Sequence, residues 1–246
     1  MSETINTTRT TPIRVLMVVA NPSTSTTVGG PVGFWASELT HPYLAFVEAG
    51  YEVEIASPDG GPVELDGFSD PRHESGYSAD DLISMGFLST PQLAAQLEDT
   101  APLGALDLDR FDAIVVCGGQ SPMFTFRGNE VLEAALRAFY EAEKPTAALC
   151  HGVCALLDVT LSDGSHLIDG KTITGFSNME EDAVDGMFGT QVMPWRIEDV
   201  ATERGANFAV GGLWKGFAVR DGRLITGQQQ YSGAAAARLV IEALGR

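Results

Sequence analysis

The run Pro145-Thr146-Ala147-Ala148-Leu149-Cys150-His151-Gly152 constrains this chain more than any other. It reads as a buried strand that stops at a cysteine and turns at once into a helix beginning near His151. So sharp a turn leaves no room for large side chains two residues to either side, and those places hold Ala148 and Gly152. This is the arrangement of a nucleophile elbow, with Cys in place of Ser and Ala in place of the first Gly. A thiol there would stand out of the sheet over a helix N-terminus, where free N–H groups and the helix dipole favour the thiolate.

An elbow needs a strand before it and a helix after it, and the remaining sequence supplies that alternation. Residues 13–20 (IRVLMVVA) are a near-continuous apolar run, suited to a parallel strand buried on both faces. A Ser/Thr/Gly-rich loop follows over 21–30. Residues 33–50 read as a helix that stops at Gly50, with Pro42 predicting a kink or restart near His41. Residues 51–57 and 111–117 are further strands, and 129–143 a helix with Asn129 as N-cap. Residues 171–175 (KTITG) and 223–227 (RLITG) read as later short strands, 198–204 as a short helix and 231–244 as a closing helix. The pattern predicts an α/β fold: a flavodoxin-like, doubly wound, mainly parallel sheet with helices on both faces. Residues 61–108 are too long and irregular for a simple connection and predict an insertion over one edge or over a site. The expected organisation is a disordered tail over 1–11 and one domain over 12–246, with cap segments at about 61–108 and 187–216. In such a sheet the site lies beyond the carboxyl ends of the strands, so the loops after Ala20, Cys117 and Leu149 should converge.

Charge and cysteine usage narrow the function. A formal net charge of −18 at pH 7 opposes binding to nucleic acid or anionic membrane. No apolar run is long enough to span a bilayer, and the polar N-terminus lacks the core of a signal peptide. Three cysteines argue against a disulfide framework and fit a reducing, cytoplasmic setting. His41, His73 and His166 lie far apart, no pair has metal-ligand spacing, and no cofactor fingerprint is present.

Several residues could carry chemistry. A free cysteine is most often a small buried hydrophobe, the reading that suits Cys117 and Cys154. At Cys150 the following His, the small flanking residues and the strand–helix junction favour a nucleophile. His151 need not bond its neighbour as a base, but it could if a carboxylate held it; otherwise it is a helix-start residue facing solvent. The acidic run Glu180-Glu181-Asp182 could supply that carboxylate, or could only complement a helix N-terminus. Gly118-Gly119 ends a strand at the presumed active edge, where the N–H of Gly119 and that of His151 could form an oxyanion hole. Glu38, a helix carboxylate that would ordinarily be solvated, lies among bulky apolar residues.

These pieces together resemble the DJ-1/PfpI (ThiJ/PfpI) superfamily of the class I glutamine amidotransferase-like fold, and within it the glyoxalase III, stress-response and chaperone-like branch. The resemblance rests on GFWASELTHP, VVCGGQSPMF, ALCHGVCALL, GKTITGFSNMEE and DGRLITGQQQYS, and it spans Ile13 to the end of the chain. It implies that Cys150 is the nucleophile, His151 the adjacent triad His, Glu181 the acid orienting that His, and Glu38 a buried carboxyl that shuttles protons to the cysteine. It also implies Gly119 and His151 as oxyanion donors. The neighbouring Glu180 leaves the acid's register open by one residue. Gln120 and Thr125 stand where the family often has His and Asp, and its larger members' zinc ligands have no match.

The resemblance implies a cofactor-independent glyoxalase, acting on a small carbonyl substrate such as methylglyoxal, as a homodimer with no nucleic-acid or membrane partner. The same Cys–His–Glu set would also permit an amidase, a peptidase or a small-molecule hydratase. A chaperone or a redox sensor is a third possibility, the former drawing on apolar surface around Trp195 and Trp214.

Overall fold

A computed structural model describes residues 11–245; the predicted tail falls outside the described residues except for Thr11. Seven strands make the main sheet: β1 (Arg14–Val18), β2 (Glu52–Ser57), β3 (Ala101–Pro102), β4 (Ala113–Val116), β5 (Thr146–Leu149), β6 (Ala218–Asp221) and β7 (Leu224–Gly227). Their order across the sheet is β6-β7-β5-β4-β1-β2-β3. The central run β2-β1-β4-β5-β7 is parallel and has the flavodoxin-like order. The two-residue β3 closes one edge, and β6 closes the other as the antiparallel arm of a hairpin.

Composition and position agree. β4, β5 and β7 are buried at every residue, as expected of strands covered on both faces. Successive side chains of β1 enter opposite cores. Leu16 and Val18 pack with Leu132, Leu136 and Phe139 of α3 (Glu130–Glu141). Val15 and Met17 pack with Leu39 and Phe46 of α1 (Ala36–Glu48), and with Val240 of the last helix, α6 (Gly233–Ala243). Between these lie α2 (Leu82–Ser89), α4 (Asn178–Phe188) and α5 (Ile197–Glu203).

Three expectations differ from the structure. The first helix begins at Ala36, not Gly33, because the chain at Gly33 runs against residues 64–65. A Cβ on Gly33 would lie 2.0 Å from the Glu64 carbonyl oxygen. From there the helix continues unbroken through Pro42. The KTITG segment does not join the main sheet. Among the described residues Thr172–Ile173 pairs with Asn207–Phe208 alone, and it is tied to β7 by the Thr174 N–H donating to Thr226 Oγ1 at 2.8 Å. The helix after the elbow is a tight 3-10 helix, Cys150–Leu156.

The register places the site. Val18 pairs with Val116 and Val116 with Ala148, so the carboxyl ends of three neighbouring strands are level. The loops that leave them carry Asn21, Gly118-Gly119 and Cys150 to one edge. Ser121 Oγ, donating to the Asn21 carbonyl at 2.6 Å, joins the first two.

Candidate active site

Cys150 sits directly after β5 with φ 53°, a left-handed conformation that a non-glycine residue adopts at a cost of about 1–3 kcal/mol. Close packing of backbones enforces it. A Cβ on Gly152 would lie 2.6 Å from the Cys117 carbonyl oxygen, and one on Gly118 would lie 2.6 Å from that of Leu149 and 2.9 Å from Cys150 Cβ. The elbow is therefore clamped against the end of β4.

Glu38, in the first turn of α1, is fully buried beside this thiol. Its Oε2 accepts the Gly118 N–H at 2.8 Å. Its Oε1 has no hydrogen-bond partner among the described residues, although the carboxyl and the Cys150 thiol interact. The pair thus stands short of a well-formed hydrogen bond, with one carboxyl oxygen open to a proton. Burial raises the Glu38 pKa to about 7; the Cys150 contact, His151 and the Gly118 N–H oppose the rise, and the Asp66 charge adds to it. Burial also pushes the Cys150 thiol well above its ordinary range, and the Glu38 charge adds to that. The His151 backbone N–H acts the other way, as the elbow argument expects. It is outweighed, so the thiol is shifted up, opposite to the direction that the elbow's helix N-terminus alone would give.

His151 and Glu181 come together. The Nε2 of His151 lies 3.0 Å from Glu181 Oε1, and Nδ1 lies 3.8 Å from Cys150 Sγ. The carboxylate orients the ring with Nε2 as donor, leaving Nδ1 turned to the sulfur. Phe176 covers the ring at 4.2 Å between centroids. Glu180 is fully buried elsewhere. It accepts from Ser177 N and Ser177 Oγ in a capping box at the start of α4, and from Gln228 Nε2 at 2.8 Å and Trp214 N at 3.3 Å. Successive helix residues point apart, so one acid serves the imidazole and the other serves the scaffold.

Of the glycine pair, Gly118 gives its N–H to Glu38, while that of Gly119 meets no acceptor among the described residues. Gly119 has φ 110°, and a Cβ there would lie 2.5 Å from Trp35 N. It borders the same cavity as Cys150 and His151.

Sequence reasoning passed over Asp66. This carboxylate is 2% exposed and accepts the N–H groups of Gly33 at 2.9 Å and Gln120 at 2.6 Å. It ties the strand-end loop to the entry of α1, and burial raises its pKa to about 6. Its place in the irregular 61–108 stretch hid it; the Asp66-Gly67 pair reads as an ordinary turn. The aromatic lining was also missed. A cavity of about 400 Å³ opens over Cys150, bordered by Trp35, Phe68, Tyr77, Phe176, Phe188 and Trp214 among others. Trp195 and Trp214 are both half-buried: Trp214 borders the cavity, and Trp195 lies beneath Arg127. No group of three or more His, Cys, Asp or Glu side chains among the described residues could hold a metal ion.

Comparison with known proteins identifies relatives of the whole chain. The sequence profile of the DJ-1/PfpI family matches residues 31–243. The chain is 27% identical over 228 residues to the glutathione-independent glyoxalase HSP31 of Saccharomyces cerevisiae, covering 88% of this chain and 91% of that one. Among solved structures, the 24 kDa Rapid Encystment Protein of Francisella tularensis superposes with a TM-score of 0.86 at 29% identity, covering 95% of this chain and all of that one. Glyoxalase III of Candida albicans superposes with a TM-score of 0.79 at 25% identity, covering 94% and 97%.

Proposed function

The chain belongs to the DJ-1/PfpI family, and on that premise we propose that it is a cofactor-independent glyoxalase. It converts methylglyoxal or a related 2-oxoaldehyde to the 2-hydroxy acid, D-lactate in the case of methylglyoxal. The observation that carries the reading is the fully buried Glu38 carboxyl, its pKa raised to about 7, beside the elbow thiol. A residue that must both take and return a proton near neutral pH needs that environment. The names of the relatives in yeast and Candida support the same reading.

The chemistry follows from the chain's own groups. Cys150 sulfur adds to the aldehyde carbon, and its proton passes through Glu38 or His151 to the developing alkoxide, giving a hemithioacetal. The N–H groups of Gly119 and His151 steady the oxygen. Ionised Glu38 then takes the proton from the former aldehyde carbon, an enediol forms as the neighbouring carbonyl oxygen takes up the proton that the first carbon's hydroxyl gives up, and Glu38 returns its proton to the neighbouring carbon, leaving the thioester. The first carbon is oxidised and the second reduced, so no external oxidant is required. Water hydrolyses the resulting thioester, with His151, oriented by Glu181, as base. The reading places the protein in the cytoplasm as a homodimer; its three free cysteines, all buried, fit a reducing compartment.

The test is conversion of methylglyoxal to lactate by purified protein without glutathione. Wild type should turn over and Cys150→Ala should not. Equal activity in the two proteins overturns the reading.

A further inference from the structure

The cavity is larger and more aromatic than methylglyoxal needs. At about 400 Å³ it lies in the range of pockets that hold drug-sized ligands, roughly 300–1,000 Å³. Methylglyoxal, a few atoms long, would leave most of it filled with water. Two chains of ring contacts border it. One runs from His151 to Phe176 at 4.2 Å and on to Trp214 at 5.9 Å. The other runs from Trp35 to Tyr77 at 6.0 Å, to Phe68 at 6.1 Å and to Phe188 at 6.3 Å. Among the described lining residues the charged carboxylate is Glu181, already bonded to His151, and none is Lys or Arg.

This lining is built into the fold. Trp214 has φ 54°, a strained conformation for a bulky residue, and its N–H is held by the buried carboxylate of Glu180. The same carboxylate holds Gln228 and caps α4, whose far end carries Phe188. Apart from His151, the rings come from four separate stretches of chain, so their meeting above Cys150 is a property of the tertiary structure.

Resting on the glyoxalase reading, we infer that the preferred substrate is a 2-oxoaldehyde whose second substituent is a flat, uncharged aromatic ring. The reactive carbonyls would lie at Cys150 and Glu38 and the ring between the two aromatic walls. Phosphorylated or carboxylated substituents would meet no cationic partner there, and would set a charge against aromatic faces. Aromatic pairs gain from offset and edge contacts beyond simple burial, so a ring should outcompete a methyl group.

The experiment compares phenylglyoxal with methylglyoxal on the full-length protein, following mandelate and lactate without glutathione. The expected kcat/KM is roughly tenfold or more in favour of phenylglyoxal, the discrimination that a few carbons produce in an apolar pocket. Trp214→Ala should lower the ratio of the two kcat/KM values, chiefly through KM for phenylglyoxal. Phe68→Ala, at the mouth, provides a second variant should Trp214→Ala fold poorly, and it should lower the ratio in the same direction. Equal kcat/KM values, or a preference for methylglyoxal, overturn the proposal and leave the glyoxalase reading standing. No turnover of either compound removes the glyoxalase reading and the proposal with it.

Discussion

In the proposed reaction Glu38 is the residue on which the chemistry turns. Its carboxyl is raised to about 7 mainly by burial, so it changes charge in the range where the reaction must run. Only the ionised form can take the carbon-bound proton, so kcat/KM should rise with pH through an apparent pKa near 7 and then level off. Glu38→Gln keeps an oxygen for the Gly118 N–H but cannot carry a proton. It should lower kcat by about 10²–10⁴-fold and abolish that pH limb, with the far-UV spectrum unchanged. A variant retaining more than a tenth of the activity would show that the proton moves by another route. From sequence, Cys150 and His151 declare themselves because elbow sterics are local. Glu38 enters only through the family resemblance, because a helix acid 112 positions away along the chain becomes unusual only when the fold buries it. The choice of Glu181 over Glu180 likewise waits on which way α4 faces.

Among the elements, the elbow is the most tightly constrained. The strand and the helix after it are joined over residues whose backbones nearly touch the end of β4. Gly152→Ala would push a methyl group to within 2.6 Å of the Cys117 carbonyl oxygen, which is backbone and cannot swing aside. The expected loss is about 1–3 kcal/mol or more, seen as a lower Tm and as reduced activity from a displaced Cys150. An unchanged Tm would mean that the turn relaxes freely. The sequence announces this element through Ala148 and Gly152. It also announces the alternation of apolar strands and amphipathic helices, since periodicity is read one element at a time. It does not announce that the helix is a 3-10 helix, or that KTITG pairs outside the main sheet. Both depend on what lies across from them.

For the whole molecule, two buried carboxyls and a large acidic excess act together on stability. The native state keeps protons on Glu38 up to about 7 and on Asp66 up to about 6, whereas the unfolded chain loses them near 4. The native state therefore binds more protons across that interval, and stability should fall as pH rises from about 4 to 7. Glu38 alone accounts for about 3 kcal/mol of the change. Asp81 has the opposite sign: its pKa of about 2, lowered by His41 and Ser84, removes stability below about 4. The net charge of −18 adds long-range repulsion at neutral pH, which salt screens. Denaturant unfolding should be hardest near pH 4–5. At 0.5 M NaCl the overall level should rise while the slope between pH 4 and 7 persists, and Glu38→Gln should lessen that slope, leaving the part due to Asp66. A slope that disappears in salt would assign it to surface charge instead. By itself the sequence determines the sheet, its parallel and doubly wound character and the elbow cysteine's place at its carboxyl edge, because these follow from side-chain period and local backbone sterics. Only the tertiary structure decides that Glu38 is buried beside Cys150, that Glu181 holds His151, that Asp66 fastens the loops and that six rings enclose one cavity. Each of these joins residues far apart in the chain, and what a carboxyl or a ring does depends on the water and charge that the fold removes from around it.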